Sequence, residues 1–112
     1  MDILAAIADT KGKNLSVVLD EYADYSRTGV IGHSMGGNAA VKIATWKNAT
    51  EDFGVLATVG LMPAVKYDPG NKPEQIRVPV FFEAGSADLI CPDSSIKEAY
   101  VKDQHPDKVF AD

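Results

Sequence analysis

The run Gly32-His33-Ser34-Met35-Gly36 sets one serine between two glycines, directly after the apolar stretch Thr28–Ile31 and directly before a small-residue segment with helical spacing. G-x-S-x-G between a strand and a helix is the pattern of a nucleophile elbow, in which a strained backbone corner lifts the hydroxyl above the sheet. Glycines two before and two after the serine are expected because a β-carbon at either place would collide with the adjoining strand or helix. Gly37, Ala39 and Ala40 extend the small surface that lets the helix lie close to the sheet. The start of that helix carries a partial positive charge, and the Met35 N–H points to where an oxyanion would form. Chance alone puts such a pattern in roughly 3–4% of chains this long. The flanking strand and helix remove most of those matches, which favours the elbow over a turn that merely needs glycine.

A serine hydroxyl is a poor nucleophile near neutral pH until an imidazole takes its proton, and that imidazole needs a carboxylate to orient it. Asp88 is the candidate acid, 54 residues after Ser34 in Gly85-Ser86-Ala87-Asp88-Leu89-Ile90-Cys91-Pro92. It follows an apolar strand, at the end where side chains of an open α/β sheet reach the crevice. Asp93 reads better as a residue that starts a helix. The chain has two histidines. His33 directly precedes the serine, so its side chain leaves the bend in another direction. His105 lies on the turn that ends a helix, before the last strand. It reads as a surface turn residue and only secondarily as a base.

The elements that must hold these residues follow from periodicity. Asp2 caps a helix with Ile3, Leu4, Ile7 and Ala8 on one side, and Gly12 ends it. Ser16–Tyr25 is read as a short helical connector. A strand at Thr28–Ile31 precedes the bend, and a helix runs from Met35 to about Trp46. Further apolar runs at Val55–Leu61 and Val78–Ala84 read as strands. Between them Asp68-Pro69-Gly70-Asn71 is a turn, and Tyr67–Gln75 returns the chain with little or no helix. A helix opens around Pro92-Asp93-Ser94-Ser95, where Ser95 and Glu98 have capping-box spacing, and His105-Pro106 closes it. Lys108–Ala111 is the last strand. Continuous rather than alternating apolar runs are how parallel strands covered on both faces read. The expected fold is α/β, a mostly parallel sheet of about four strands with helices on both faces.

The totals agree with one modest domain. The 112 residues are 46% hydrophobic and 24% charged, as in ordinary soluble globular proteins. A formal charge of −5 argues against nucleic acid or an anionic membrane as the main partner. No apolar run approaches a membrane span, and Met1-Asp2-Ile3-Leu4 lacks the basic start of a signal peptide. The single cysteine, Cys91, excludes an internal disulfide and a CxxC metal site, and reads as a small buried hydrophobe.

Gly32-His33-Ser34-Met35-Gly36-Gly37, preceded by Tyr25-Ser26-Arg27-Thr28-Gly29-Val30-Ile31, resembles the α/β-hydrolase superfamily. It looks most like the cutinase-like polyester hydrolases and their chlorophyllase and dienelactone-hydrolase-like relatives. Ile76-Arg77-Val78-Pro79-Val80 and the loop from Gly85 to Pro92 extend the resemblance over nearly the whole chain. The resemblance implies a serine carboxylic-ester hydrolase in which Ser34 is the nucleophile and Asp88 the acid, in the order Ser…Asp…His. It makes Met35 an oxyanion donor and a wall of the acyl pocket; Met35, Met62 and Pro63 together suggest that this pocket is apolar, and Met62 reads equally well as core packing. In that family the base follows the last strand and a second oxyanion donor precedes the elbow helix. Residues 1–112 therefore read as the C-terminal portion of such a domain, with the elbow at 30–37 and the acid loop at 85–92, lacking both groups. Ala64 stands where the polyester hydrolases carry an aromatic, so a small apolar ester is the expected substrate rather than a polyester. No cofactor or metal is called for. An incomplete sheet would expose apolar surface, and another protein chain is expected to hold it. The rival readings are a non-catalytic structural subunit of a larger assembly and a binding module that keeps the pocket without the chemistry.

Overall fold

The computed structural model describes residues 22–112. The helix expected from Asp2 to Gly12, and all but the last four residues of the connector Ser16–Tyr25, lie outside the described residues. Four parallel strands make one sheet in sequential order: β1 (Thr28–His33), β2 (Val55–Leu61), β3 (Val80–Glu83) and β4 (Lys108–Ala111). Two helices, α1 (Met35–Ile43) and the short α2 (Ala49–Phe53), join β1 to β2, and α3 (Asp93–Lys102) joins β3 to β4. This is the α/β sheet that the apolar runs imply. Among the described residues no helix is long and apolar enough to cross a membrane.

Register decides which face each residue serves, because directly paired residues of a parallel ladder project to the same side. Gly32, Gly60, Phe82 and Phe110 form one such row. Gly60 faces α1: a β-carbon there would come within 3.2 Å of Val41 Cγ2. Phe82 meets Tyr100 of α3 edge-on at 6.2 Å, and Tyr100 in turn lies 5.7 Å from Phe110. Both crossover helices thus cover the same face, as right-handed connections in sequential strand order require. Phe82, Ile96, Val41 and Ala44 are wholly buried between helices and sheet. Burial of a ring such as that of Phe82 contributes about 1.5–3 kcal/mol.

The opposite face carries the row Ile31, Val59, Phe81 and Val109. Ile31 is 67% exposed and Val109 53%. Of the helices expected on both faces, those among the described residues supply one. The apolar character of both rows is why the strands read as continuous runs instead of alternating ones.

Several boundaries differ from expectation for local reasons. Helix α1 stops at Ile43 rather than near Trp46, because Thr45 and Trp46 donate to the Lys42 and Ile43 carbonyls (3.0 and 3.1 Å) and tighten the last turn. Helix α2 was not anticipated. Its C-terminal signal is Gly54, which takes φ 64° and whose β-carbon would overlap the Tyr25 carbonyl. The Ser95–Glu98 capping box does not form. Pro92 occupies the cap position, Ser94 donates to Asp93 Oδ1 at 2.7 Å, and Glu98 pairs with Lys102 at 2.7 Å.

The connection from β2 to β3 holds together without an α-helix. It contains two single 3₁₀ turns, Val65–Tyr67 and Pro73–Gln75, around the turn in which the Asn71 N–H donates to the Asp68 carbonyl at 3.1 Å. The Asp68 carboxylate accepts from Lys42 Nζ, Asn38 Nδ2 and the Gly70 N–H, each at 2.9 Å. Asn71 Nδ2 donates to the buried Asn38 Oδ1 at 2.6 Å. The bond to Lys42, then those to Asn38 and Gly70, hold the Asp68 pKa below the ordinary carboxylate range. A polar cluster on α1 therefore fixes the loop that a helix would otherwise have packed.

Candidate active site

Ser34 has φ 55° and ψ −116°. Such a conformation costs an L-residue on the order of 1–3 kcal/mol and persists only when its surroundings over-determine it. Here they do. The Ser34 N–H donates to the Leu61 carbonyl at the end of β2 (2.9 Å), while the Ser34 carbonyl accepts from Ala64 (2.9 Å) and from Asn38 in α1 (3.0 Å). Both polar groups of the peptide backbone at this residue are thus committed. The side chain is half-buried and makes no capping bond to the helix it precedes, and among the described residues its hydroxyl has no hydrogen-bond partner.

The glycines divide their work differently from the motif's symmetry. A β-carbon on Gly32 would overlap the Gly36 carbonyl and approach the Gly37 nitrogen to 2.8 Å. One on Gly37 would come to 3.0 Å from the Gly32 and Leu61 carbonyl oxygens and from Pro63 Cα. One on Gly36 would meet nothing within 4 Å. The expectation that Gly36 avoids a collision of its own is therefore corrected. The second steric position is Gly37, where α1 lies against the ends of β1 and β2.

Met35 opens α1 and is 65% exposed. As the first helical residue it has no intrahelical acceptor for its N–H, which leaves that donor for a ligand. Met62 is half-buried, packs partly against the core, and has φ 40°. Its N–H donates to the Glu83 carbonyl at 2.9 Å, so the residue after β2 is also held in a left-handed conformation by its neighbours.

Asp88 stands on the loop after β3. Its N–H donates to the Gly85 carbonyl (2.9 Å), and its Oδ1 accepts from the Ile90 (2.8 Å) and Cys91 (2.9 Å) amides. Those two bonds, Cys91 first, lower its pKa, and the charge of His33 adds to the effect. The acid loop and the elbow therefore share the C-terminal end of the sheet, where His33, Leu61, Glu83 and Ala111 stand in one row. Cys91 is buried in this loop.

His105 is placed elsewhere. It precedes β4, whose first residue, Lys108, pairs with Val80 at the N-terminal end of the sheet. Its main-chain N–H donates to Asp103 Oδ1 (2.8 Å) and its Nδ1 accepts from Asp107 (3.1 Å). Asp103 is 1% exposed, and burial pushes its pKa up. The structure thus gathers Ser34, Met35, Met62, His33 and Asp88 at one edge and leaves His105 in a turn at the other. Among the described residues, no group of three or more histidine, cysteine, aspartate or glutamate side chains is placed to hold a metal.

Sequence reasoning missed Tyr67, whose hydroxyl donates to the Ile90 carbonyl across a separation of 23 residues, at 2.6 Å. It also passed over Leu89 and Ile90, which are 92% and 70% exposed beside the acid. Two adjacent aliphatic residues in a loop are a readable signal. The partner of an isolated tyrosine is not.

The steric division predicts that Gly32→Ala destabilises the fold by about 2 kcal/mol or more, since backbone must shift. Gly36→Ala leaves stability unchanged or raises it by up to ~1 kcal/mol, as alanine does for glycine inside a helix. Urea unfolding of the two variants measures both; equal losses would contradict the assignment.

A sequence profile described as the dienelactone hydrolase family matches residues 5–110. Comparison with curated proteins gives no match. Among solved structures, the uncomplexed acylaminoacyl peptidase of Pyrococcus horikoshii is similar, with a TM-score of 0.61 and 14% identity over 83% of this chain and 20% of that one. At that identity the likeness is one of fold, and it agrees with the parallel α/β sheet described above. This chain spans about one fifth of the length of that structure. With the profile covering almost every residue from the segment before the elbow to the last strand, the chain belongs to the dienelactone hydrolase family.

Proposed function

We propose that these residues carry the nucleophile and the acid of a serine carboxylic-ester hydrolase that works through an acyl-enzyme. The observation that carries the reading is the strained Ser34 backbone with an uncommitted hydroxyl, at the same sheet end as an ionised, loop-anchored Asp88. Ser34 Oγ attacks the ester carbonyl carbon and its proton passes to a histidine. Asp88 holds that imidazole in the right tautomer and balances its charge. The oxyanion sits at the start of α1, facing the Met35 N–H and the positive end of the helix. The tetrahedral species collapses, the alcohol leaves with the proton, and a water repeats the sequence to release the acid. The base and a second oxyanion donor are assigned to polypeptide beyond these elements, following the family resemblance. His105, at the far end of the sheet, has no part in this scheme.

Exposed Met35, Leu89 and Ile90 and half-buried Met62 favour an apolar ester. Ala64 offers no aromatic clamp, so polyester cleavage is not proposed. The chemistry needs no cofactor. The described helices lie on the other face of the sheet, and of the row Ile31–Val59–Phe81–Val109 the outer members Ile31 and Val109 are exposed, which favours a second component of the reading: further polypeptide, in the same or another chain, completes the domain. The same row is what the rival reading, a non-catalytic structural subunit, would use.

Turnover of a p-nitrophenyl ester separates the two. In the polypeptide that supplies the base, Ser34→Ala is expected to lower kcat about a thousandfold or more. The 112 residues alone are expected to act near background. Unchanged turnover in the variant favours the structural subunit, and robust Ser34-dependent turnover by the 112 residues alone would refute the external base. Sedimentation velocity tests the face that carries this row. The 112-residue chain is expected to self-associate, and Ile31→Lys with Val109→Lys to reduce it; a monodisperse parent chain would contradict this.

A further inference from the structure

The loop that bears Asp88 has a support that the ester-hydrolase scheme leaves unused, and it comes from the connection between β2 and β3. Ala64 donates to the Ser34 carbonyl at 2.9 Å, and Tyr67, three residues on, closes its 3₁₀ turn by donating its N–H to the Ala64 carbonyl at 3.2 Å. The Tyr67 hydroxyl then donates to the Ile90 carbonyl at 2.6 Å, and the other end of that same peptide group, the Cys91 N–H, donates to Asp88 Oδ1 at 2.9 Å. One hydrogen-bonded path therefore runs from the backbone of the nucleophile to the carboxylate of the acid. Its middle is anchored: Asp68, the next residue, is fixed to α1 through Asn38 and Lys42. Tyr67 is 54% exposed, so core packing is not what it is there to supply.

We infer that Tyr67 is a positioning residue for the acid, setting the height and orientation of the Asp88 carboxylate relative to Ser34 through the Ile90–Cys91 peptide. The inference rests on the ester-hydrolase reading for its catalytic consequence. The hydroxyl is spent on a main-chain carbonyl of the acid loop, so it has no proton left to donate to a substrate. The ring serves as a rigid spacer between two loops that no strand pairing joins. A displacement of about an ångström at the acid is enough to cost catalysis, because the imidazole that it orients must meet the serine proton in line.

Tyr67→Phe removes the hydroxyl and keeps the ring. In the catalytically complete polypeptide, kcat is expected to fall about tenfold with KM unchanged. In the 112-residue chain, NMR titration of the Asp88 carboxyl is expected to move up toward the ordinary aspartate value. The Cys91 N–H, in the peptide that Tyr67 holds, is the first of the two donors that stabilise the ionised form, and it loses its alignment. Tyr67→Leu serves as the comparison. If Tyr67→Phe leaves both kcat and the Asp88 titration as in the parent, the inference is overturned. It is overturned equally if only Tyr67→Leu has an effect and acts on KM, which would make the ring a substrate wall. A titration that moves without any change in kcat overturns the catalytic claim. Failure of the ester-hydrolase reading shows separately, as turnover that survives Ser34→Ala.

Discussion

The close approach of α1 to the ends of β1 and β2 governs everything else at this edge of the sheet. Backbone meets backbone there: Gly32 lies under the Gly36 carbonyl, and Gly37 lies against the Leu61 carbonyl and Pro63. A chain turning from strand to helix in so little space cannot use a relaxed residue at the corner, and Ser34 takes the strain. Its N–H and carbonyl are bound on both sides, by Leu61, Ala64 and Asn38, so the corner is held rather than merely tolerated. The free energy stored there is offset by packing behind it, where Val41, Ala44 and Phe82 are fully buried. What the corner gains is a hydroxyl that none of the described residues binds.

Charge is organised around that corner by main-chain groups more than by ion pairs. Asp88 is stabilised as a carboxylate by two amides of its own loop, with His33 contributing through space. A carboxylate held in this way keeps its charge at neutral pH without a fixed cation that would compete for an imidazole. Lys42 is instead committed to Asp68 on the loop behind α1. The arrangement anchors Asp88 through one oxygen, which suits the role proposed for it, that of orienting another side chain.

Much of this was legible in the sequence, and the parts that were not have physical reasons. Thr28–Ile31, Val55–Leu61 and Val78–Ala84 read as strands because both faces of each carry apolar residues; the second matches the observed strand at both ends, and the others differ from theirs by at most two residues at an end. The elbow was legible because glycine is demanded by close approach, yet the motif could not say that Gly37 rather than Gly36 bears the second contact. The α3 boundary went to Asp93 because Pro92 already fixes the turn before it, which left Ser95 inside the helix with no cap to make. Helix α2 is five residues long, too short for a periodic pattern to stand out. The partner of Tyr67 and the backbone strain at Met62 were invisible, since both depend on contacts between segments far apart in the chain.

The strain at residue 34 can be measured as a difference between two variants that both lack the hydroxyl. In a helix or a relaxed loop with negative φ, glycine is less stable than alanine by about 0.5–1 kcal/mol. At a corner held at positive φ the order reverses, because glycine alone escapes the steric cost. Denaturant unfolding of Ser34→Gly and Ser34→Ala is expected to show the glycine variant more stable by about 1 kcal/mol or more. An alanine variant as stable as the glycine variant, or more so, would mean that the corner is relaxed and that the account of this site is wrong.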